Sequence, residues 1–339
     1  MDTKTRIAVL ISTYNGQAFV EEQVHSILSQ AIDPLKIELH VYIRDDGSSD
    51  RTRDILAKLA DAHPDIIRIQ TKAPGNIGVK RSFFVLVQDP EIDADYFFLA
   101  DQDDIWEPDK ITKTLAAFQP EKSSLPLGVY SDLWLADANG HSTGKSMSEQ
   151  ARWPKNLAVD YQYLSFDYRV TGAAFAFNRT AKKLFTQIPN AFIPLVNMHD
   201  SFMALILSVC GKLIQIDEPL VLYRQHGDNL IGGLKKKRSL IETLNNKKRE
   251  EGQLIVDNLL LDAFLKKQHL TIRQDQRAII DLYVDYFNNV HHAFKRVATS
   301  VKIYHIMHHP RKRVSFILIA FFDVIDMIAP YDEIKAALA

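Results

Sequence analysis

The chain has 339 residues, of which 46% are hydrophobic and 24% charged, and its net charge is -1. This ordinary globular composition predicts one large domain with an appendage, or two domains, and it excludes a fold that depends on disulfides because only one cysteine is present. The polar residues 1–6 do not resemble a secretion signal, and the longest apolar run, residues 314–322, is too short to span a bilayer. We therefore expect a cytoplasmic protein.

Strand and helix patterns alternate in the first half of the chain. Apolar, β-rich runs predict strands at residues 7–12, 39–43, 66–70 and 96–100. Helical spacing predicts helices at 18–30 and 79–88, and residues 48–50 are suited to cap a further helix that continues through residue 59. This alternation predicts an α/β fold with a parallel sheet and crossover helices. Ligands bind beyond the carboxyl ends of the strands in such sheets, and each unusual polar cluster in this half follows a strand.

The second half is less regular. Strands are predicted at 129–135, 173–177 and 220–224, a buried helix at 199–210, a loop at 227–237 and helices from residue 240 onward. Residues 1–234 hold 23 Lys and Arg against 30 Asp and Glu, whereas residues 235–313 hold 17 against 8. We therefore place a domain boundary between residues 234 and 235, and we expect the basic region to face an anionic partner or a membrane.

Three carboxylates within four residues, in Asp101-Gln102-Asp103-Asp104, follow the predicted strand at 96–100. These carboxylates repel one another, so a folded site must offset them with cations. Mg²⁺ and Mn²⁺ bind carboxylate oxygens and often share their coordination with substrate phosphates. The alternative is a solvated acidic loop that caps the following helix. The position after an apolar strand, beside Trp106, favours the metal site.

Three weaker motifs follow other strands. The turn Asp45-Asp46-Gly47-Ser48-Ser49-Asp50 either supplies helix caps or uses Asp46 to accept a nucleobase N–H group. Tyr14, before Asn15-Gly16, could stack on a base. The segment Gly75-Asn76-Ile77-Gly78 opens a helix and precedes Lys80 and Arg81, a combination that favours a diphosphate.

Taken together, these motifs resemble a known family. Ile11-Ser12-Thr13-Tyr14-Asn15-Gly16, the Asp45–Asp50 turn, Asn76-Ile77-Gly78 and Asp101–Asp104 occur in the order and spacing of family 2 glycosyltransferases with the GT-A fold. The resemblance covers roughly the first 230 residues. It implies a Rossmann-like, mixed but mostly parallel sheet flanked by helices, forming a catalytic domain at 1–234, with a helical C-terminal extension at 235–339.

The resemblance also implies a role for each matching position. Ser12, Tyr14 and Asp46 would contact the nucleobase. Asp101 and Asp103 would form the Asp-x-Asp pair, with Asp103 the direct ligand of Mn²⁺ or Mg²⁺. The other positions expected to bind the donor are Asn15, Asp45, Asn76, Gly78, Lys80, Arg81, Gln102 and Gly172.

Two downstream segments resemble the family's catalytic ones. Met198-His199-Asp200 implies that Asp200 is the catalytic base, although many members have Glu where His199 stands. Tyr223-Arg224-Gln225-His226 implies that His226 binds the metal; the alternative is a surface-loop histidine. We expect Trp106, His199 and Arg224 to line the acceptor and sugar pocket. A single base without a carboxylate nucleophile favours inversion at the anomeric carbon.

The combined motifs resemble bacterial rhamnosyltransferases of cell-wall and surface polysaccharides. This implies dTDP-β-L-rhamnose as donor and a lipid-linked glycan as acceptor, with a UDP-hexose donor as the alternative. A non-catalytic sugar-nucleotide-binding protein and a phosphoryl- or nucleotidyl-transferase are the rival classes, and we expect no nucleic-acid partner. The basic cluster at 311–313 with the apolar run 314–322 predicts contact with the inner membrane face; the alternative is a C-terminal helix docked on the catalytic domain or on a second subunit of a homo-oligomer.

Overall fold

Four parallel strands form the first half of one large sheet. They are β1 (Thr5–Thr13), β2 (Ile37–Asp45), β3 (Ile67–Gln70) and β4 (Tyr96–Ala100), in the spatial order β3-β2-β1-β4. Residues 7–11 of β1 are all buried, as expected for a strand covered on both faces. The computed structural model describes residues 4–122, 124–153, 159–226, 239–307, 316–322 and 324–339.

The sheet continues beyond β4 with mixed directions. Its other strands are β5 (Ile105–Trp106), β6 (Leu127–Ala136), β7 (Ser142–Ser146), β8 (Phe175–Asn178) and β9 (Lys212–Arg224). The full order is β3-β2-β1-β4-β8-β6-β9-β5, with β7 paired to β6. β8 is antiparallel to both of its neighbours, whereas β6 and β9 are parallel. This confirms the predicted mixed, mostly parallel sheet.

Short helices accompany the sheet. They are α1 (Val20–Leu28), α2 (Thr52–Ala62), α3 (Val79–Gln88), α4 (Lys110–Phe118), α5 (Met147–Ala151), α7 (Arg179–Phe185) and a 3₁₀ turn at Gly172–Ala174. Strand register determines where the loops meet, because Thr13 of β1 pairs with Asp45 of β2 and Ile11 pairs with Ala100 of β4. The loops that follow these three strands therefore share one edge of the sheet.

The chain divides into two compact units. The first consists of residues 1–157, 170–186 and 211–234, and contains the whole sheet; the second consists of 158–169, 187–210 and 235–339. The helices of the second unit are α6 (Tyr161–Leu164), α8 (His199–Cys210), α9 (Leu240–Lys267), α10 (Gln274–Asn288), α11 (Ala293–Ile306) and α12 (Tyr331–Leu338). Within the described ranges, no helix combines the length and apolar character needed to cross a membrane.

The second unit differs in extent from the C-terminal domain of the sequence analysis. It includes residues 235–339, but it also takes in 158–169 and 187–210 from the preceding region. The reason is tertiary packing: α8 packs on α9, and α6 packs on α8 and α10. The predicted loop at 227–237 and the basic cluster at 311–313 lie outside the described residues.

Candidate active site

The loop after β2 is held by a carboxylate. Asp45 accepts hydrogen bonds from the backbone N–H of Ser48 at 2.9 Å and from Nε of Arg53 at 2.7 Å. Burial opposes the ionised form of Asp45, but the hydrogen bonds from Ser48 and Arg53 outweigh it and hold the pKa of this carboxyl below its ordinary value. The geometry gives Asp45 the role of shaping the turn, and direct donor contact by its side chain stays a prediction.

Asp46 joins this loop to the loop before α3. The residue is 3% exposed. Oδ1 accepts from Nη1 of Arg44 at 2.7 Å and from the backbone N–H of Ile77 at 2.8 Å, and Oδ2 accepts from the N–H of Gly78 at 2.8 Å. A carboxylate oxygen accepts two hydrogen bonds, so Oδ2 has room for one further donor. Recognition of a nucleobase N–H by Asp46, which remains a prediction, would use that position.

Two glycines make this close approach of the loops feasible. Gly47 and Gly78 have φ angles of +86° and +83°, which residues with a side chain rarely adopt. A Cβ atom on Gly47 would lie 2.8 Å from the backbone nitrogen of Asn76. The backbone geometry of the site therefore favours glycine at positions 47 and 78.

Arg44 is the cation beneath the site. It is fully buried, and its guanidinium donates to Asp46, to Oγ of Ser82 at 2.8 Å and to the carbonyl oxygens of Ala73 and Gly75. Ser82 also forms a 2.6 Å hydrogen bond with Ser12, one of the predicted nucleobase contacts. Arg44 thus connects β2, the start of α3 and the predicted donor contacts on β1.

Replacement of Arg44 by methionine is expected to lower the free energy of unfolding by about 3 kcal/mol, because it leaves the Asp46 carboxylate buried without its counter-charge. The two backbone N–H donors that remain on Asp46 keep the loss at the lower end of the range for buried pairs. Thermal or urea unfolding measures it. Arg53→Met is the matched control, since the Arg53–Asp45 pair is solvent-exposed on the arginine side, and it should cost less than about 1 kcal/mol. Equal losses for the two variants would contradict the role of Arg44.

The loops after β1 and β4 are joined by Gln102. Its side-chain oxygen accepts the backbone N–H of Tyr14 at 2.8 Å, and its amide nitrogen donates to the Tyr14 carbonyl at 3.0 Å. Asn15, with φ +48°, donates its N–H to Ser48 at 2.9 Å and accepts from the N–H of Ser49 at 2.9 Å. The Tyr14 ring is 48% exposed. Its backbone is therefore fixed while its ring is accessible for the predicted stacking on a base.

Asp103 and His226 lie side by side. Nε2 of His226 is 2.8 Å from Oδ2 of Asp103, and the imidazole packs on Phe19 with ring centroids 4.7 Å apart. The loop after β4 and the end of β9 therefore bring together the two residues predicted as metal ligands. Among the described residues, no group of three or more His, Cys, Asp and Glu forms a ligand cluster.

Arg224 fixes the backbone around this pair. Its Nε donates to the carbonyl of Asp103 at 2.7 Å, its Nη1 to the carbonyl of Ala138 at 3.0 Å and its Nη2 to Glu22 at 2.6 Å. The side chain is 2% exposed and lies over the ring of Phe19. These contacts argue against the predicted role of Arg224 in a sugar pocket and indicate that it positions Asp103.

Trp106 and Asp104 are buried behind the loop. Trp106 is 3% exposed, packs against Phe98 and lies 4.8 Å from Nζ of the buried Lys110, so a direct sugar contact is disfavoured. Burial, together with the charges of Asp103 and Asp101, raises the pKa of Asp104 well above its ordinary value. Burial also lowers the pKa of Lys110 to about 7. The motifs assign roles to Asp101 and Asp103 but none to Asp104, and the structure buries Asp104 in the core.

The remaining predicted donor contacts surround the start of α3 and the 3₁₀ turn. Lys80 is half-buried and Arg81 exposed in the first turn of α3. The N–H groups of Ile77 and Gly78 already bind Asp46, so a diphosphate here would depend on the two side chains. Gly172 is buried in the 3₁₀ turn that precedes β8.

The predicted catalytic residues belong to the second unit. His199 and Asp200 begin α8, and both are buried within that unit. Oδ1 of Asp200 accepts the N–H of Ser201 at 2.6 Å. A carboxylate at a helix start is stabilised as the anion by the free N–H groups there, which suits a proton acceptor. The assignment of Asp200 as base stays a prediction.

Comparison with known proteins identifies the first half of the chain. Residues 8–161 match the model of the family described as Glycosyl transferase family 2. This region is a family 2 glycosyltransferase domain. The glycosyltransferase is 28% identical over 273 residues to the dTDP-rhamnosyl transferase RfbG of Shigella flexneri, a match that covers 76% of this chain and 87% of RfbG.

Solved structures share the GT-A fold. The S. aureus TarS 1-349 structure in complex with UDP superposes with a TM-score of 0.52 at 14% identity, covering 95% of this chain and 90% of that one. The mannosyltransferase PcManGT from Pyrobaculum calidifontis, in complex with GDP-Man and Mn²⁺, gives 0.50 at 13% identity, covering 99% and 86%. At these identities the likeness concerns the fold alone.

Sequence reasoning about this glycosyltransferase missed Arg44 and did not anticipate the buried contacts of Arg224. An arginine within the apolar strand Ile37–Asp45, next to two aspartates, was an available signal for a buried ion pair. No comparable signal existed for Arg224, whose partners Glu22, Asp103 and Ala138 are between 86 and 202 residues away in sequence.

Proposed function

We propose that this glycosyltransferase transfers L-rhamnose from dTDP-β-L-rhamnose to a hydroxyl group of a lipid-linked glycan, with inversion at the anomeric carbon. The observation that carries the catalytic part is the Asp103–His226 pair, 2.8 Å apart next to Asp101 at the edge of the sheet. The donor is supported by the likeness to RfbG, which is described as a dTDP-rhamnosyl transferase, and by the motifs shared with rhamnosyltransferases.

The residues at this edge fit a divalent cation. Asp103 offers a hard carboxylate oxygen and His226 an imidazole nitrogen, and both suit Mn²⁺; Mg²⁺ uses the carboxylate. Two protein ligands are sufficient when the diphosphate of the donor completes the coordination. PcManGT, which shares the fold, is described as a complex with GDP-Man and Mn²⁺. When bound, the cation would neutralise the departing nucleoside diphosphate.

The remaining chemistry belongs to side chains of the chain. Tyr14 would stack on the base, Asp46 would accept a base N–H through Oδ2, and Lys80 and Arg81 would bind the diphosphate. Asp200 would take the proton from the acceptor hydroxyl as it attacks the anomeric carbon. A single displacement with one carboxylate base inverts the configuration at that carbon.

The C-terminal region would bring the enzyme to its acceptor. Leu318, Phe321 and Phe322 are between 46% and 59% exposed, and Nζ of Lys248 lies 3.4 Å from the centroid of the Phe322 ring. Exposed aromatic side chains beside a cation suit the interface of an anionic membrane, where lipid-linked acceptors are found. A second copy of the chain is the alternative partner of this surface.

Donor choice is tested with a panel of nucleotide sugars. In the presence of Mn²⁺ or Mg²⁺, we expect release of nucleoside diphosphate to be fastest with dTDP-L-rhamnose, the donor that the likeness to RfbG supports. The base pocket should then have space for the C5 methyl group of thymine and need no contact with a ribose 2′-hydroxyl. Thermal shifts with dTDP and UDP provide an independent measure of nucleotide preference. Faster turnover of UDP-glucose or UDP-galactose would replace the rhamnose donor by the UDP-hexose alternative.

A further inference from the structure

A buried carboxylate on α9 contacts the segment that leads into α8. Asp257 is 1% exposed. Its Oδ1 accepts hydrogen bonds from the backbone N–H of Asn197 at 3.0 Å and from Nε2 of Gln253 at 3.0 Å. Gln253 Nε2 also donates to the carbonyl of Leu195 at 2.7 Å. α9 therefore holds the Leu195–Asn197 segment at both of its ends.

The other oxygen of Asp257 is held by a tyrosine. The hydroxyl of Tyr168 donates to Oδ2 at 2.9 Å. Burial, reinforced by the charge of Asp257, raises the pKa of Tyr168 well above its ordinary value, so this hydroxyl stays a donor. Three donors from separate parts of the second unit thus offset the desolvation of the Asp257 carboxylate. Such a network holds the backbone at residues 195–197 in a single conformation.

The fixed segment continues directly into the start of α8. Asn197 lies three residues before Asp200. Met198 donates its N–H to Oγ of Ser201 at 3.2 Å and accepts the Ser201 hydroxyl at 3.0 Å, and the Ser201 N–H donates to Asp200. The following residues, 202–207, are all buried. The backbone that carries Asp200 is therefore held between the Asp257 contact and a buried helix.

We propose that Asp257 is a positioning residue, which through Asn197 sets the place of the Asp200 carboxylate in the reaction. This inference rests on the proposed function, in which Asp200 is the catalytic base. General-base catalysis requires the base within hydrogen-bond distance of the attacking hydroxyl, and a misplacement of 1 Å can cost about 100-fold in rate. Asp257 lies in the C-terminal region, to which the family motifs of the sequence do not extend.

The first test is Asp257→Leu, which keeps the branched arrangement of side-chain heavy atoms and is compatible with a helix but removes the acceptor oxygens. We expect kcat for release of dTDP from dTDP-L-rhamnose, with water as acceptor, to fall by about 10-fold or more. The KM for the donor and the Kd for dTDP should stay within about twofold, because nucleotide binding uses residues of the sheet-containing unit. If dTDP-L-rhamnose is not the preferred donor, the fastest donor of the panel replaces it.

Two further variants separate positioning from folding. Asp257→Asn should recover most of the lost kcat, because its amide oxygen can still accept the Asn197 N–H. Gln253→Met removes the contacts to Leu195 and Asp257 and should lower kcat in the same direction, even if Asp257→Leu does not fold. Asp262→Asn is the matched control: Asp262 is a buried carboxylate on the same helix, paired with Lys266 and Arg277 at 2.7 Å. It should lower the melting temperature and leave kcat unchanged.

The outcomes distinguish this proposal from the proposed function. Normal kcat in folded Asp257→Leu and Gln253→Met, with loss of turnover in Asp200→Asn, would overturn positioning by Asp257 and leave Asp200 as base. Normal turnover in Asp200→Asn would reject the proposed base, and the positioning role with it. Faster amide hydrogen exchange at residues 195–201 in Asp257→Leu is expected independently of activity, and unchanged exchange there counts against the proposal.

Discussion

Asp103→Ala is expected to abolish sugar transfer and to weaken nucleotide binding in the presence of Mn²⁺. The substitution removes the carboxylate next to His226, so the diphosphate loses the cation that would offset its charge. The fold should persist, because Arg224 binds the backbone carbonyl of residue 103 and not its side chain. Release of nucleoside diphosphate measures transfer, and calorimetry with dTDP at fixed Mn²⁺ measures binding.

The matched control for Asp103 is Asp109→Ala. Asp109 is an aspartate just before α4 whose side chain pairs with Lys113 at 2.7 Å, and it should be dispensable for turnover. His226→Ala should lower activity in the same direction as Asp103→Ala, with less effect if the carboxylate is the stronger ligand. Full activity of Asp103→Ala, or of the unmodified enzyme in excess chelator, would contradict the metal assignment.

Asp200→Asn is expected to reduce transfer by about 100-fold or more while folding and nucleotide binding stay close to those of the unmodified enzyme. Asparagine keeps the shape of the side chain and can still accept the Ser201 N–H, but it cannot take up a proton. The change should therefore appear in kcat and not in KM for the donor. Steady-state kinetics and a thermal melt measure the two effects separately.

The alternative role for Asp200 is that of a helix cap, worth about 1 kcal/mol. Asp160→Asn provides the comparison, because Asp160 caps α6 in the same unit by accepting the N–H of Tyr163 at 3.1 Å. Both variants should retain their caps, and only Asp200→Asn should lose turnover. A well-folded Asp200→Asn enzyme with near-normal kcat would give Asp200 a structural role and require another base.

Local sequence was sufficient for several helices and strands of the fold. The helices at 79–88 and 199–210 and the strand at 96–100 were predicted to the residue, because long apolar runs with a clear period end at polar residues or at glycine. The strand β9 begins eight residues before its prediction, since its first part is only half-buried and lacks the apolar run that indicates a strand. β5 and β7 were missed because they are short or exposed.

The sequence by itself determined the family motifs, the α/β alternation and the candidates Asp46, Asp103 and Asp200, because these depend on residue type and local spacing. Tertiary structure alone decided which of the polar side chains are structural. Burial is a property of the assembled sheet, so no local pattern distinguishes Asp103 at the loop surface from the adjacent Asp104 in the core. The same holds for Arg224 behind Asp103, whose partners come together only when segments distant in sequence become neighbours.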